Sequence, residues 1–305
     1  MFKKILLSLS IILIANAACA DTTYDSSIDA AIGSQVELPA HVNPVLERQL
    51  KENKAESNPY SIVYYKPTYI LPYYYTASPY NSVYLNNTPD NESLKSSEIK
   101  YQFSFKVPVW KNMLNSRTSL FLAYTQLSYW QAYDKRAFFR ETDYEPELFF
   151  SWQVDYPFGK DWRLNAIHFG LVHQSNGEGN ALERSWNRAY ASVEASTDNW
   201  IVGFRPWIIF HDATYERQNP NMSTYLGYEE MLVAYKNGNQ VLSLGSRNLL
   251  ESHGRRSGNT LSWSFPLTVY IKGYVQVFSG YGQSLIEYNH RTNSIGVGIA
   301  LSNWV

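Results

Sequence analysis

Cysteine is almost missing from this chain: of 305 residues only Cys19 carries a thiol. It sits at the end of Met1-Phe-Lys3-Lys4, an apolar run from Ile5 to Ile14 and a small-x-small close at Ala18-Cys19-Ala20. That is the layout of a secretory signal peptide. Cleavage after Ala20 would leave no cysteine, so no disulfide framework holds the mature chain. A lipoprotein reading of Cys19 is disfavoured by Asn16, which stands where an aliphatic residue is wanted. Charge is also scarce, at 17%, against the usual quarter or so. Loss of Lys3 and Lys4 takes the formal net charge from −1 to −3, so no basic field calls for nucleic acid. After position 20 no apolar run reaches the roughly 20 residues that a membrane helix requires.

What is abundant is aromatic: 25 Tyr and 9 Trp against 14 Phe. A secreted chain rich in Tyr and Trp, with alternating strands and no membrane helix, fits an outer-membrane β-barrel. A secreted β-sandwich or a soluble barrel is the alternative. Three regions are expected: a signal peptide (1–20), a polar periplasmic arm (21–58) and a barrel (59–305). Within the arm, Asn43-Pro44 before Val45-Leu-Glu-Arg-Gln-Leu50 reads as an N-cap and first helical position, so a short helix should start there.

From Glu98 on, strand-like segments of about ten to fourteen residues recur between turn residues. The expected strands are 61–76 (irregular at Pro67 and Pro72), 98–110, 118–131, 144–156, 163–176, 186–197, 199–211, 224–236, 239–250, 258–266, 268–280 and 294–304. They make an all-β, twelve-stranded antiparallel transmembrane barrel of the bacterial type. Tight turns such as Lys236-Asn-Gly-Asn239 contrast with long loops at 131–143, 176–186 and 280–293, as the two ends of such a barrel do. One segment fits poorly: Glu229 and Glu230 are adjacent, so one would face lipid unless both lie at the rim.

The chemistry gathers in Phe169-Gly-Leu-Val-His-Gln-Ser-Asn-Gly177 and in Ser185-Trp-Asn-Arg188. His173 and Ser175, two apart, share a face of an extended chain. A hairpin pairing residue 173 with 187 sets Asn187 beside His173 and Ser185 beside Ser175. A serine hydroxyl needs an adjacent base, and the base needs an orienting group. Gly177 is placed to lend a backbone N–H to an oxyanion. Ile167, Phe169 and Leu171 lie on the face of His173 and Ser175. Arg188, Tyr190 and Glu194 take the face opposite Asn187. Charge on the lipid side costs roughly 2–4 kcal/mol at mid-bilayer, so the polar set must face the lumen and the candidate triad the outer wall, at the extracellular rim. A substrate there would arrive from the bilayer. A merely structural polar rim would carry the same residue types.

These motifs, together with Phe139-Arg-Glu-Thr-Asp-Tyr-Glu-Pro146, Tyr124-Thr-Gln-Leu-Ser-Tyr-Trp-Gln131 and Tyr281-Gly-Gln-Ser-Leu-Ile-Glu-Tyr288, closely resemble the outer membrane phospholipase A family over about 95–305. The resemblance implies hydrolysis of sn-1 and sn-2 acyl esters of glycerophospholipids, with Ser175 as nucleophile, His173 as base and Asn187 as its partner. It implies calcium as cofactor, membrane phospholipid as substrate and an active homodimer, with Gln126 matching the amide that the family buries between subunits. Calcium is where the chain departs: Glu183 replaces the family's serine ligand, and Glu178 stands at its carbonyl position. The partner-loop stretch Ala132–Ala137 looks shorter and lacks the serines, leaving a carbonyl of Arg136 or Ala137 to serve. Two other readings are a lipid A deacylase, expected to be a smaller barrel with an acidic third member, and a non-catalytic small porin. The crowded inward set, which also includes Arg205 and Trp207, argues against an open porin lumen.

Overall fold

The computed structural model describes residues 43–304 apart from Pro59 and Asp212. The expected signal peptide, Cys19 included, and the arm up to residue 42 lie outside the described residues. The expected helix is present as α1 (Pro44–Ala55), with Asn43 as N-cap: its side chain accepts the N–H of Leu46 at 2.8 Å. Among the described residues no helix is long and apolar enough to cross a membrane. Crossing falls to strands.

Those strands are β1 (Val63–Tyr64), β2 (Tyr69–Thr76), β3 (Ser97–Lys111), β4 (Thr118–Trp130), β5 (Phe139–Phe158), β6 (Trp162–Ser175), β7 (Ser185–Ser196), β8 (Trp200–Ile209), β9 (Glu229–Asn237), β10 (Gln240–Arg247), β11 (Gly258–Pro266), β12 (Lys272–Tyr281) and β13 (Arg291–Ala300). Neighbours pair antiparallel. The β2–β13 and β2–β3 pairings close the ring, so β2 to β13 form a twelve-stranded barrel. β1 continues the line of β2 along β3, with Tyr64 opposite Phe105 and Tyr69 opposite Gln102. Pro67, which has no N–H for the ladder, lies in the gap between them.

Long connections at 77–96, 131–138, 176–184, 210–228, 248–257 and 282–290 gather at one end. Short turns such as 197–199 and 238–239 gather at the other, where α1 also docks. Two strand starts shift by five residues. Residues 224–228 do not extend β9: they fall in α3 (Met222–Leu226) and its stop at Gly227, whose φ of +65° suits glycine. β5 starts five residues early, because Phe139–Asp143 continues the ladder with β4, from Trp130 to Leu127. The two glutamates are also explained. Glu230 pairs across the ladder with Arg205, while Glu229 is buried at the rim and accepts the N–H of Leu250 at 2.8 Å.

The molecule is inside-out by the standards of a water-soluble domain. Phe169, Leu171, Val193, Ile208 and Leu242 stand 41–63% exposed on the outer wall. Glu98, Lys100, Arg140, Glu147 and Arg188 are buried in the interior. Their partners lie within the barrel: Arg140 binds Glu98 through two nitrogens at 2.7 and 2.8 Å, Arg188 reaches Glu145 at 3.0 Å, and Lys100 donates to Gln276 at 2.7 Å. Apolar outside and paired polar inside is the arrangement a lipid solvent demands. The chain is an outer-membrane β-barrel.

Candidate active site

The site is set by the register of one hairpin. β6 and β7 pair His173 with Asn187 and Ser175 with Ser185. The Nδ1–H of His173 donates to Oδ1 of Asn187 at 2.8 Å. A carbonyl oxygen only accepts, so this contact selects the tautomer that leaves Nε2 free to take a proton. On the other side Ser175 faces Tyr144 of β5. All three candidate residues lie on the outer wall, immediately beyond exposed Phe169 and Leu171. Among the described residues Ser175 Oγ makes no hydrogen bond, so a bond from its hydroxyl to His173 is not formed. Such bonds commonly tighten only with substrate present.

Behind the triad the inward residues are locked. The Nε1–H of Trp186 donates to Gln174 Oε1 at 2.7 Å, and the Arg188 guanidinium lies 4.0 Å over the Trp186 ring. The first contact joins the same two strands from the lumen side and holds their register, and the second packs along β7. The loop after β8 supports the other flank, where α2 (Ala213–Gln218) leads into Asn219. The Asn219 amide accepts the Ser185 N–H at 3.2 Å and donates to the Ser185 carbonyl at 2.6 Å, and Gln218 accepts the Ser185 hydroxyl at 3.1 Å.

Gly177 has φ of +68°, and a Cβ there would lie 3.0 Å from the Tyr144 ring. Its N–H donates to no acceptor among the described residues, so it is free to meet an oxyanion. Glu178 and Glu183 share its loop, and neither carboxylate has a hydrogen bond or ion pair among the described residues. Two unpartnered carboxylates and nearby carbonyls are hard oxygen donors of the kind calcium prefers. One competitor is in place: the Arg184 guanidinium donates to the carbonyls of Glu183 at 2.6 Å and Ala181 at 3.0 Å. No group of three or more acidic, histidine or cysteine side chains is preassembled for a metal among the described residues. Arg136 stands apart on the 131–138 loop, its guanidinium paired with Asp90. Gln126, on the outer wall of β4, takes partners within its own chain: Tyr124 donates to it at 3.1 Å, and it donates to Ser128 at 3.2 Å.

Sequence reasoning overlooked Asn176, Glu141 and Asn219. The first two sit inside the quoted motifs, but nothing in their spacing announces that they hold loops.

The family model for phospholipase A1 matches residues 45–301. The chain is 35% identical to the phospholipase A1 of Proteus vulgaris over 290 residues, covering 94% of this chain and 96% of that one. It is similar to the solved outer membrane phospholipase A from Escherichia coli, with a TM-score of 0.75, 34% identity and coverage of 81% and 93% of the two chains. A Salmonella typhi outer membrane phospholipase dimer with bound calcium is similar at a TM-score of 0.77 and 33% identity, with 83% of this chain and 96% of that one covered. Family match, closed barrel and overall likeness agree: the chain belongs to the phospholipase A1 family of outer-membrane β-barrels.

Proposed function

We propose that this barrel hydrolyses the sn-1 and sn-2 acyl esters of membrane glycerophospholipids, with Ser175 as nucleophile. The observation that carries the reading is the His173–Asn187 hydrogen bond on a lipid-facing wall, with Ser175 two residues from His173 on the same face of β6. Phospholipid diffusing in the membrane meets this wall first, and the apolar side chains of Phe169 and Leu171 lie along its approach. Oγ of Ser175 attacks the ester carbonyl while Nε2 of His173 takes its proton. Asn187 keeps Nδ1 protonated and stabilises the imidazolium by accepting its N–H. The N–H of Gly177 donates to the oxyanion of the tetrahedral intermediate. Collapse breaks the ester C–O bond, and His173 returns the proton to the departing lysophospholipid oxygen. Water, deprotonated by His173, then attacks the acyl carbon; the bond to Ser175 Oγ breaks, and His173 returns the proton to Oγ as the fatty acid leaves.

Calcium as cofactor would be held through the carboxylates of Glu178 and Glu183, with a carbonyl of Arg136 as a further oxygen ligand, and would supply positive charge to stabilise the oxyanion. The active form is a homodimer, as the solved Salmonella relative is a dimer with bound calcium. Gln126 lies at the contact, although Tyr124 and Ser128 already satisfy part of its amide.

The test is product analysis with purified protein in detergent and calcium. Fatty acid and lysophospholipid are expected from phosphatidylcholine, with no acyl release from lipopolysaccharide and no steady large conductance in planar bilayers. Acyl release from lipopolysaccharide alone would instead select a lipid A deacylase, and large channels without hydrolysis a porin.

A further inference from the structure

The loop between β6 and β7 carries a buried amide that the reaction just described leaves unused. Asn176 is 3% exposed and lies between Ser175 and Gly177. Its Oδ1 accepts the N–H of Arg184 at 3.0 Å and of Glu178 at 3.3 Å. Its Nδ2 donates to the Leu182 carbonyl at 2.8 Å and makes a longer contact, 3.5 Å, to Glu141 Oε1. A primary amide offers two acceptor positions and two donors, and here all four are occupied.

Each bond has a geometric consequence. The contact to the Glu178 N–H spans two residues and forms an Asx turn, which encloses Gly177 in its left-handed conformation. The bonds to Leu182 and Arg184 tie that turn to the returning side of the loop, where Asn176 N–H also meets the Arg184 carbonyl at 3.1 Å. Glu141 fixes the amide from below. The same Oε1 accepts the N–H of Ile286 at 2.9 Å, so one carboxylate anchors the 176–184 and 282–290 loops together. Asp143 repeats the arrangement one step along β5 by accepting the N–H of Leu285 at 3.1 Å.

We propose that Asn176 is a positioning residue for ester hydrolysis: its amide, held by Glu141, fixes the direction of the Gly177 N–H relative to Ser175 before substrate arrives. It touches no substrate atom and acts through Gly177. The inference rests on the hydrolase reading above, and it goes further by naming what holds the oxyanion donor in place.

Asn176→Asp is the diagnostic change, because it keeps the acceptor but puts an oxygen against the Leu182 carbonyl and Glu141. Asn176→Ala removes both functions. The full chain in detergent is assayed for kcat and KM, and residue-resolved amide hydrogen exchange is followed in parallel. In wild type the N–H groups of Glu178 and Arg184 are expected to be protected. In Asn176→Asp protection across 176–184 falls while β6 and β7 keep theirs. The same variant should lose about tenfold or more in kcat with KM within about twofold, since oxyanion donors act on the transition state. Fast exchange at Glu178 and Arg184 in wild type overturns the proposal, as does a kcat within about threefold of wild type in both variants. If wild type and Ser175→Ala release fatty acid equally, the hydrolase reading fails, and the exchange data still decide whether Asn176 holds the loop.

Discussion

At residue 187 a neutral amide stands where many serine hydrolases carry a carboxylate. The location gives a reason. Asn187 is exposed on the outer wall, where an ionised carboxylate facing hydrocarbon would be costly while His173 is neutral. The amide orients His173 without that burden. Gly177 is the next most constrained residue. Gly177→Ala is expected to lower kcat by about tenfold, because left-handed backbone costs about 1–2 kcal/mol with a Cβ and the added carbon meets Tyr144 at 3.0 Å. Steady-state kinetics with an unchanged far-ultraviolet spectrum would check it. For the cation, Glu183→Ala is expected to raise the calcium concentration for half-maximal activity by about tenfold. An unchanged titration would remove Glu183 from the ligand set.

Among the elements, β6 and β7 were legible: strict alternation placed their ends within one residue, and the 173–187 pairing appears in the ladder as expected. Alternation works there because one face meets lipid and the other a packed polar lumen. It failed at 224–228, where tyrosine and leucine read as strand but local contacts decide otherwise. Asn248 donates to the carbonyls of Thr224 and Tyr225, and Gly227 stops the turn. It was also blind to what holds the active-site loop, because bonds from Asn176 and Asn219 to backbone leave no periodic trace. The helix α1 was visible through its cap, but its docking was not. Arg48 binds Glu194 at 2.6 Å, Lys106 binds Glu52 at 2.8 Å, and Glu47 pairs with Lys236. Burial raises the Glu47 carboxyl, but the ammonium groups of Lys236 and Lys51 outweigh it and hold the group below its ordinary 4.5. A depressed folded value means the contribution is full above the unfolded value and is lost as pH falls through the folded one. Amide chemical shifts of α1 are therefore expected to hold from pH 7 to 5 and move below about pH 4. In Lys236→Ala that transition should shift toward the ordinary carboxylate range.

At the scale of the whole molecule, the polar residues that would make a pore are instead bonded to one another. Among the described residues, cavities of about 370 and 230 Å³ lie in the lumen, the former beside α1 and lined by Arg48, Glu52, His168 and Glu194. The outer wall carries the opposite constraint. Val193→Arg, on the lipid side of β7, is expected to destabilise the barrel by about 2–4 kcal/mol in equilibrium unfolding from vesicles. A cost near zero would deny that this face meets lipid. Both constraints leave the candidate triad at the rim, between the lipid-facing wall and the long-loop end. The most direct measurement is fatty-acid release from phosphatidylcholine by wild type and by Ser175→Ala, in detergent with calcium. Steady release by wild type and a loss of about a thousandfold or more in the variant are expected; equal release by both would contradict a Ser175-dependent phospholipase.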